Sequence, residues 1–470
     1  MKIIALAACS LVPWAAATPM EYNPYTTSSG STKLTHDSPV YGAVSTAVST
    51  SAAAYEERSY EIPDVPDVGS SSTEASAKSD TISFSSRHIT GSQASNDTVG
   101  TVSRKLDASS STDVQKIEAH FGEKLETNLD NLPQKGAYHV MPWPSSYWPI
   151  YLDGINYRWE STGTLSPAAK YATAFDLDVD EFTKSVSEST GVLSQSSGTS
   201  CYSNWGCSSG SVCAKRDGEW QGYCIPTWYG ICHAWCPASI LEPEPSCAIE
   251  YNGVTFQPQD IKALLSQVYD DAGVGTVFTG ARYNGDSSDT DQYGRYTDAA
   301  QRDLGPGFMH LALTNIIGRL NSTFVLDVTS SSQVWNQPIY SYEVTKQTEM
   351  TPSEAAQKYY SKQTYPFNEE AAKLMYTETT ITWMVETLED GGLVASGRAE
   401  SYTSSGSYTY LLELDADDNI LGGEWVGTSN QEHPDFLWFA TGQPDLDTVT
   451  EVGLSYKNVR TLLDLATNCS

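Results

Sequence analysis

The first strong pattern along the chain is an apolar run from Ile3 to Trp14, behind Met1 and Lys2 and ahead of Ala15-Ala16-Ala17. The run is too short to span a bilayer, and the small residues after it suit cleavage. Residues 1–17 therefore read as a secretory signal peptide. Patterning is then lost. Residues 18–108 are rich in Ser, Thr and Ala, as in Thr26-Thr-Ser-Ser-Gly-Ser-Thr32, and poor in large apolar residues. Such a segment cannot bury enough apolar surface to offset its ordering entropy, so it is expected to be disordered. It is either a propeptide, with Arg104-Lys105 as a processing site, or a permanent tail. No later stretch reaches the roughly 18 apolar residues that a membrane span needs.

Periodicity returns in the folded part, residues 109–470. Val114, Ile117, Phe121 and Leu125 recur at helical spacing, which predicts a helix over 113–129. In Met141-Pro-Trp-Pro-Ser-Ser-Tyr-Trp-Pro149 the prolines forbid a regular helix and the aromatics seek burial. This segment either wraps the core or lines a cleft. Gly305-Pro-Gly ends one element, and Phe308 to Ile317 then reads as a strand. His310, Ala312 and Thr314 share one of its faces, with Leu311, Leu313 and Ile317 on the other. Gly318 to Asn321 would turn the chain into a second strand, Phe324 to Val328. Ile381 to Val385 and Tyr408 to Leu414 are rich in β-formers. Asp415-Ala-Asp-Asp-Asn419 reads as a solvated hairpin turn rather than a calcium loop, since no twelve-residue loop with a closing Glu follows.

Charge and cysteines narrow the class. The chain has 27 basic against 58 acidic residues, a net charge of -31. That surface repels nucleic acid and suits cationic substrates such as amines, and calcium. Of nine cysteines, Cys9 leaves with the signal and seven cluster between 201 and 247. Such density in a secreted chain points to disulfides. Cys201-x5-Cys-x5-Cys-x10-Cys224 forms a small module whose three possible pairings sequence alone leaves open. Glycosylation sequons begin at Asn96, Asn321 and, beside a cysteine, Asn468.

The most informative stretch is Trp228-Tyr-Gly-Ile-Cys232-His-Ala-Trp235. Gly230 permits a tight turn, and Cys232 would open a helix, where the dipole favours the attacking thiolate. Trp228 or Trp235 could shield a thioester from water. A thiolate nucleophile needs a base that also protonates the leaving group. His310 is the candidate base. If the strands on either side of Gly318–Asn321 form a hairpin, Asp327 falls within two positions of facing it and could orient the imidazole. Cross-strand neighbours lie about 4.5–8 Å apart. His433 is a rival base. His233 lies on a different helix face from Cys232, and zinc at Cys232-His233-Cys236 lacks a second ligand pair. Eight mature cysteines could also all pair, leaving no nucleophile and a non-enzymatic cell-wall or host-surface binding protein. If Cys232 stays a thiol, one further cysteine is left over.

Tyr229-Gly-Ile-Cys232-His-Ala-Trp235 resembles the nucleophile segments of transglutaminases and of papain-like enzymes. Val334-Trp-Asn-Gln-Pro338 resembles the surface segment of the oomycete transglutaminase elicitors that plants recognise, with that core unchanged. The residues after it, Ile-Tyr-Ser-Tyr-Glu-Val, depart from the basic residues and glycine common there. Met141–Pro149, Gly422-Gly-Glu-Trp425 and His433-Pro-Asp-Phe-Leu-Trp438 extend the likeness over about residues 113–470. The resemblance implies an α+β, papain-like fold, with the nucleophile's helix packed on an antiparallel sheet beside the disulfide module. It implies a secreted, calcium-dependent protein-glutamine γ-glutamyltransferase that crosslinks glutamine to lysine on protein substrates in the extracellular space or cell wall. A plant host receptor is an implied partner. Cys232, His310 and Asp327 take the places of nucleophile, base and acid. A secreted papain-like cysteine protease is the alternative.

Overall fold

The computed structural model describes residues 108–285, 289–302 and 304–469, with two short paired segments, Ser59–Tyr60 and Ile82–Ser83. The signal peptide, most of the Ser/Thr-rich segment, Arg104-Lys105 and Asn96 lie outside the described residues. The core is an antiparallel sheet of eight strands. In chain order these are β1 (Lys135–Ala137), β2 (Thr276–Gly280), β3 (Val325–Asp327), β4 (Asn336–Met350), β5 (Lys373–Met384), β6 (Thr403–Leu414), β7 (Ile420–Trp425) and β8 (Phe436–Ala440). Their spatial order is β7-β6-β5-β4-β3-β8-β2, and β1 pairs with the middle of β4. The expected hairpin turn is present between β6 and β7, with the Asp415 carboxylate accepting from the backbone N–H of Asp417 and Asn419.

Side-chain alternation gives this sheet two apolar faces. Val325, Phe436 and Trp438 pack with Cys232, Trp235 and their neighbours. Leu326, Leu437 and Phe439 pack with Phe308, Met309, Leu311 and Leu313. Each face is covered by helices. The first carries α4 (Cys232–Leu241) and, outside it, α5 (Pro258–Asp271) and α8 (Tyr456–Thr467). Earlier in the chain, α2 (Pro167–Ala174) and α3 (Val179–Thr190) join the same cluster. The second face carries α1 (Ala108–Phe121) and α6 (Pro306–Ala312). The remaining helix, α7 (Pro352–Tyr360), opens with a reciprocal Thr351–Glu354 cap.

Two expected elements come out differently. The helix expected over 113–129 stops at Phe121, where Gly122 adopts a φ of 69°. The strand expected over Phe308–Ile317 is helical: α6, then a π turn over Leu313–Ile317. Pro306 sits in its first turn, where a missing N–H costs nothing. Thr314 and Asn315 return side-chain hydrogen bonds to the carbonyls of His310 and Leu311. All residues from Pro306 to Ile317 are buried, so no exposed face remains to distinguish a period of 3.6 from one of 2. Gly307 lets α6 approach β7, since a Cβ there would lie 2.6 Å from the Gly422 carbonyl.

The disulfides are Cys201–Cys213, Cys207–Cys224 and Cys247–Cys469. The first two close the expected module, and the third ties the end of the chain to the segment after α4.

The proline-rich segment wraps the core. One indole and two backbone carbonyls of the segment brace α4: Trp143 Nε1 donates to Glu242 O, the Trp143 carbonyl accepts from Trp235 Nε1, and the Tyr147 carbonyl accepts from Ile231 N. Beneath it Lys262 of α5 is fully buried, 2.7 Å from Glu244 and 3.1 Å from the Pro144 carbonyl. Removing one partner of such a pair leaves an uncompensated buried charge. Lys262→Ala is expected to lower stability by about 3–5 kcal/mol, read as the chemical-denaturation midpoint.

Candidate functional site

Cys232 is the first residue of α4 and is fully buried. The turn before it is held by two backbone bonds to the proline-rich strap, from Ile231 N to Tyr147 O and from Ile150 N to Tyr229 O. Cys232 and Cys236 are the two described cysteines outside disulfides, and they stand one helical turn apart. Cys236 is thus the leftover thiol that the cysteine count required. Burial pushes both thiols up, and for Cys232 the Asn336 side-chain hydrogen bond acts in the other direction.

The sheet residue under Cys232 is Asn336, the first residue of β4. Its Nδ2 donates to Cys232 Sγ at 3.6 Å, its Oδ1 accepts from Trp438 Nε1 at 2.8 Å, and its carbonyl accepts from Cys236 Sγ at 3.2 Å. Asp327 is its cross-strand partner on β3 and therefore shares its face of the sheet. One Asp327 oxygen, Oδ1, accepts from Trp335 N and Thr329 N. The other, Oδ2, is buried with no hydrogen-bond partner among the described residues. Burial raises this carboxyl well above the usual carboxylate range despite those bonds. Glu386 is a second buried carboxyl. It accepts from Gln337 Nε2 at 2.9 Å, and its charge acts on Cys232, Cys236 and Tyr147. Burial pushes it up to about 7.

The structure brings Asp327 to the face of Cys232 but does not bring His310 there. His310 belongs to α6, on the opposite face of the sheet, where its Nδ1 lies 2.8 Å from the Tyr410 hydroxyl. Its neighbours pack against Leu326, while Asp327, one residue on, points the other way. The expected hairpin does not exist either, because β3 pairs with β4 and β8. Burial holds the His310 imidazole neutral, pushed down to about 4. The rival His433 has both ring nitrogens engaged by the carbonyls of Ser429 and Gln301, and its ring stacks on Trp425. His233 pairs with Asp270 on α5 at 2.9 Å, on a different side of α4. Of the other described histidines, His120 packs against Phe439 and His139 is exposed. Glu386 and Asp327 are carboxyls whose charge acts on Cys232.

The Val334–Pro338 segment is also placed differently from expectation. All five residues are buried, and Asn336 and Gln337 contribute to the site. It is buried, and its last three residues open the interior strand β4. Asn321 is exposed in the connection before β3, as a glycosylation site requires. One group of His, Cys, Asp or Glu among the described residues places ligand atoms close enough to share an ion: Cys201, Cys207 and Cys224. These sulfurs are in disulfides and do not suit calcium, which takes oxygen ligands. No described helix is long and apolar enough to cross a membrane.

Comparison with known proteins agrees with this architecture. The family described as transglutaminase elicitor matches residues 113–469. The crystal structure of the GP42 transglutaminase from Phytophthora sojae is similar at 48% sequence identity and a TM-score of 0.70. The alignment covers 76% of this chain and 98% of that one. No curated protein matches significantly.

The raised Glu386 carboxyl ties stability to pH. Its folded pKa of about 7 lies above the ordinary 4.5, so the folded state holds the proton more tightly. That contribution is complete below about pH 4.5 and is lost as pH rises through 7. Glu386→Gln removes the dependence. Relative to wild type, the variant is expected to gain on the order of 3 kcal/mol between pH 4 and pH 8, followed by denaturation at each pH. A constant difference across that range would rule this out.

Proposed function

The chain belongs to the transglutaminase elicitor family, and on that premise we propose that it is a secreted protein-glutamine γ-glutamyltransferase with Cys232 as nucleophile. The observation that carries this reading is the state of Cys232. It opens a helix as a thiol, in a chain whose other described cysteines apart from Cys236 are consumed by disulfides. The disulfides support an oxidising extracellular setting.

The chemistry requires a thiol, a proton carrier and donors for a developing oxyanion. Cys232 sulfur attacks the side-chain carboxamide carbon of a peptide glutamine, forming the C–S bond of a thioester. The C–N bond breaks and ammonia leaves with the proton that the thiol gave up. A lysine amine then attacks the thioester, an isopeptide bond forms, and a proton returns to sulfur. Glu386 fits the role of carrying that proton in both halves, since a carboxyl near 7 can give and take it at neutral pH. Its charge acts on Cys232, Cys236 and Tyr147. The closed, apolar surroundings of Trp143, Tyr147 and Trp235 restrict water, which would otherwise hydrolyse the thioester. Host recognition through Val334–Pro338 would require release of that strand from the sheet, because its side chains are buried.

Incorporation of a fluorescent primary amine into a glutamine-bearing protein tests the reading. The full chain is expected to incorporate it, and Cys232→Ala to abolish incorporation. Equal signals from the two would remove Cys232 from the reaction. Parallel reactions with calcium and with chelator test the cation dependence that family resemblance implies. His310→Gln is expected to retain incorporation within a few-fold. Glu386→Gln is expected to lose roughly 10²–10⁴-fold, the usual contribution of a positioned acid–base group. Loss with His310→Gln in a folded protein, and none with Glu386→Gln, would reverse the assignment.

A further inference from the structure

Asn336 touches three groups that meet at the nucleophile, and hydrogen-bond chemistry fixes which way its amide faces. Trp438 Nε1–H can only donate, so the Asn336 atom 2.8 Å from it must be the carbonyl oxygen, Oδ1. The NH₂ group is therefore turned to Cys232 Sγ, at 3.6 Å. Cys236 Sγ–H, donating to the Asn336 carbonyl at 3.2 Å, holds the backbone of the same residue. All four residues are buried, which leaves the amide little freedom to turn.

We propose that Asn336 is a catalytic residue, whose amide N–H, locked by Trp438, stabilises the Cys232 thiolate before and during attack on the glutamine carboxamide. This deepens the assignment of Cys232 as nucleophile and rests on it. A thiolate in this position is opposed by burial and by whatever negative charge Glu386 and Asp327 carry. A hydrogen bond to the charged form works against all three. The α4 N-terminus adds its dipole in the same sense. The bond also orients sulfur, because Asn336 approaches from the sheet while α4 carries the thiol from above. No proton changes hands in this role: the thiol proton goes to the proton carrier, and the amide remains a donor throughout.

A role in packing alone would not change the ionisation of sulfur, so ionisation is the property to measure. The thiolate ultraviolet absorbance of the full chain is titrated with pH, and the Cys232→Ser titration is subtracted to remove Cys236 and the tyrosines. Asn336→Asp keeps an acceptor for Trp438 but replaces the donor to sulfur. It is expected to raise the Cys232 midpoint by about one pH unit or more, a tenfold loss of thiolate at a given pH. It is also expected to lower kcat about 10²-fold, with KM for a glutamine peptide nearly unchanged. Trp438→Phe keeps a ring in place but releases the amide lock, and a smaller shift in the same direction is expected. Asn336→Ala should match Asn336→Asp in sign, and serves if the aspartate variant fails to fold. An unchanged midpoint in the folded Asn336 and Trp438 variants would overturn the proposal. If wild type transfers no amine, the transglutaminase reading fails, while the titration still decides what Asn336 does to sulfur.

Discussion

The separation of the two sheet faces at β3 and β8 is the constraint on which the rest of the site depends. Successive residues alternate there, so Val325 and Asp327 look towards α4 while Leu326 looks towards α6. No side chain on α6 can serve Cys232 without crossing the sheet. What acts on the thiol must come from that side of the sheet: from α4 itself, from the strap over it, from sheet residues of the matching parity, or from a connection that runs along the same face. Asp327 and Asn336 meet that condition as cross-strand partners. Glu386 enters from the segment that leaves β5.

Burial then decides the chemistry of what is present. Water is excluded from the Cys232 pocket, so each ionisable group there moves towards its neutral form: the two thiols and both carboxyls upward. In such surroundings a hydrogen bond to sulfur is strengthened, and a misplaced donor is costly. The strap is what creates these conditions. Its prolines keep it extended, and its aromatic rings supply the apolar cover that a short helix such as α4 lacks. Lys262 and Glu244 anchor it from below with a pair whose partners are both inside the protein.

The turn and helix start at Cys232 are legible in the sequence because their signals are local. A glycine before a cysteine, at a change from loop to helix, states both the turn and the position of the thiol. Asp327 was legible as the end of a short β run, and the strap as a segment that must be covered. His310 was misplaced for a physical reason. Phe308 to Ile317 is apolar throughout, and its alternating leucines suit a strand as well as a fully buried helix. Gly305-Pro306 before it is a helix-start signal, and the helix begins there. Glu386 carries no comparable signal, and Asn336 stands out only within the Val334–Pro338 segment. Asparagine in a strand and a glutamate after one are ordinary on a surface, and only the packing of β4 and β5 beneath α4 makes them interior.

The cysteines show how position and partner divide similar residues into different tasks. Cys201, Cys207, Cys213 and Cys224 close a module immediately ahead of the turn before Cys232, and Cys247, just after α4, is bonded to Cys469. The helix is therefore flanked by crosslinks, while its own two cysteines remain thiols one turn apart. Asn336 engages both, through its side chain for Cys232 and through its carbonyl for Cys236. Each sulfur is turned towards the sheet and is committed to a different atom of one residue. With both sulfurs turned to Asn336, the two thiols of α4 lie on the sheet side of the helix, apart from the disulfides that flank it.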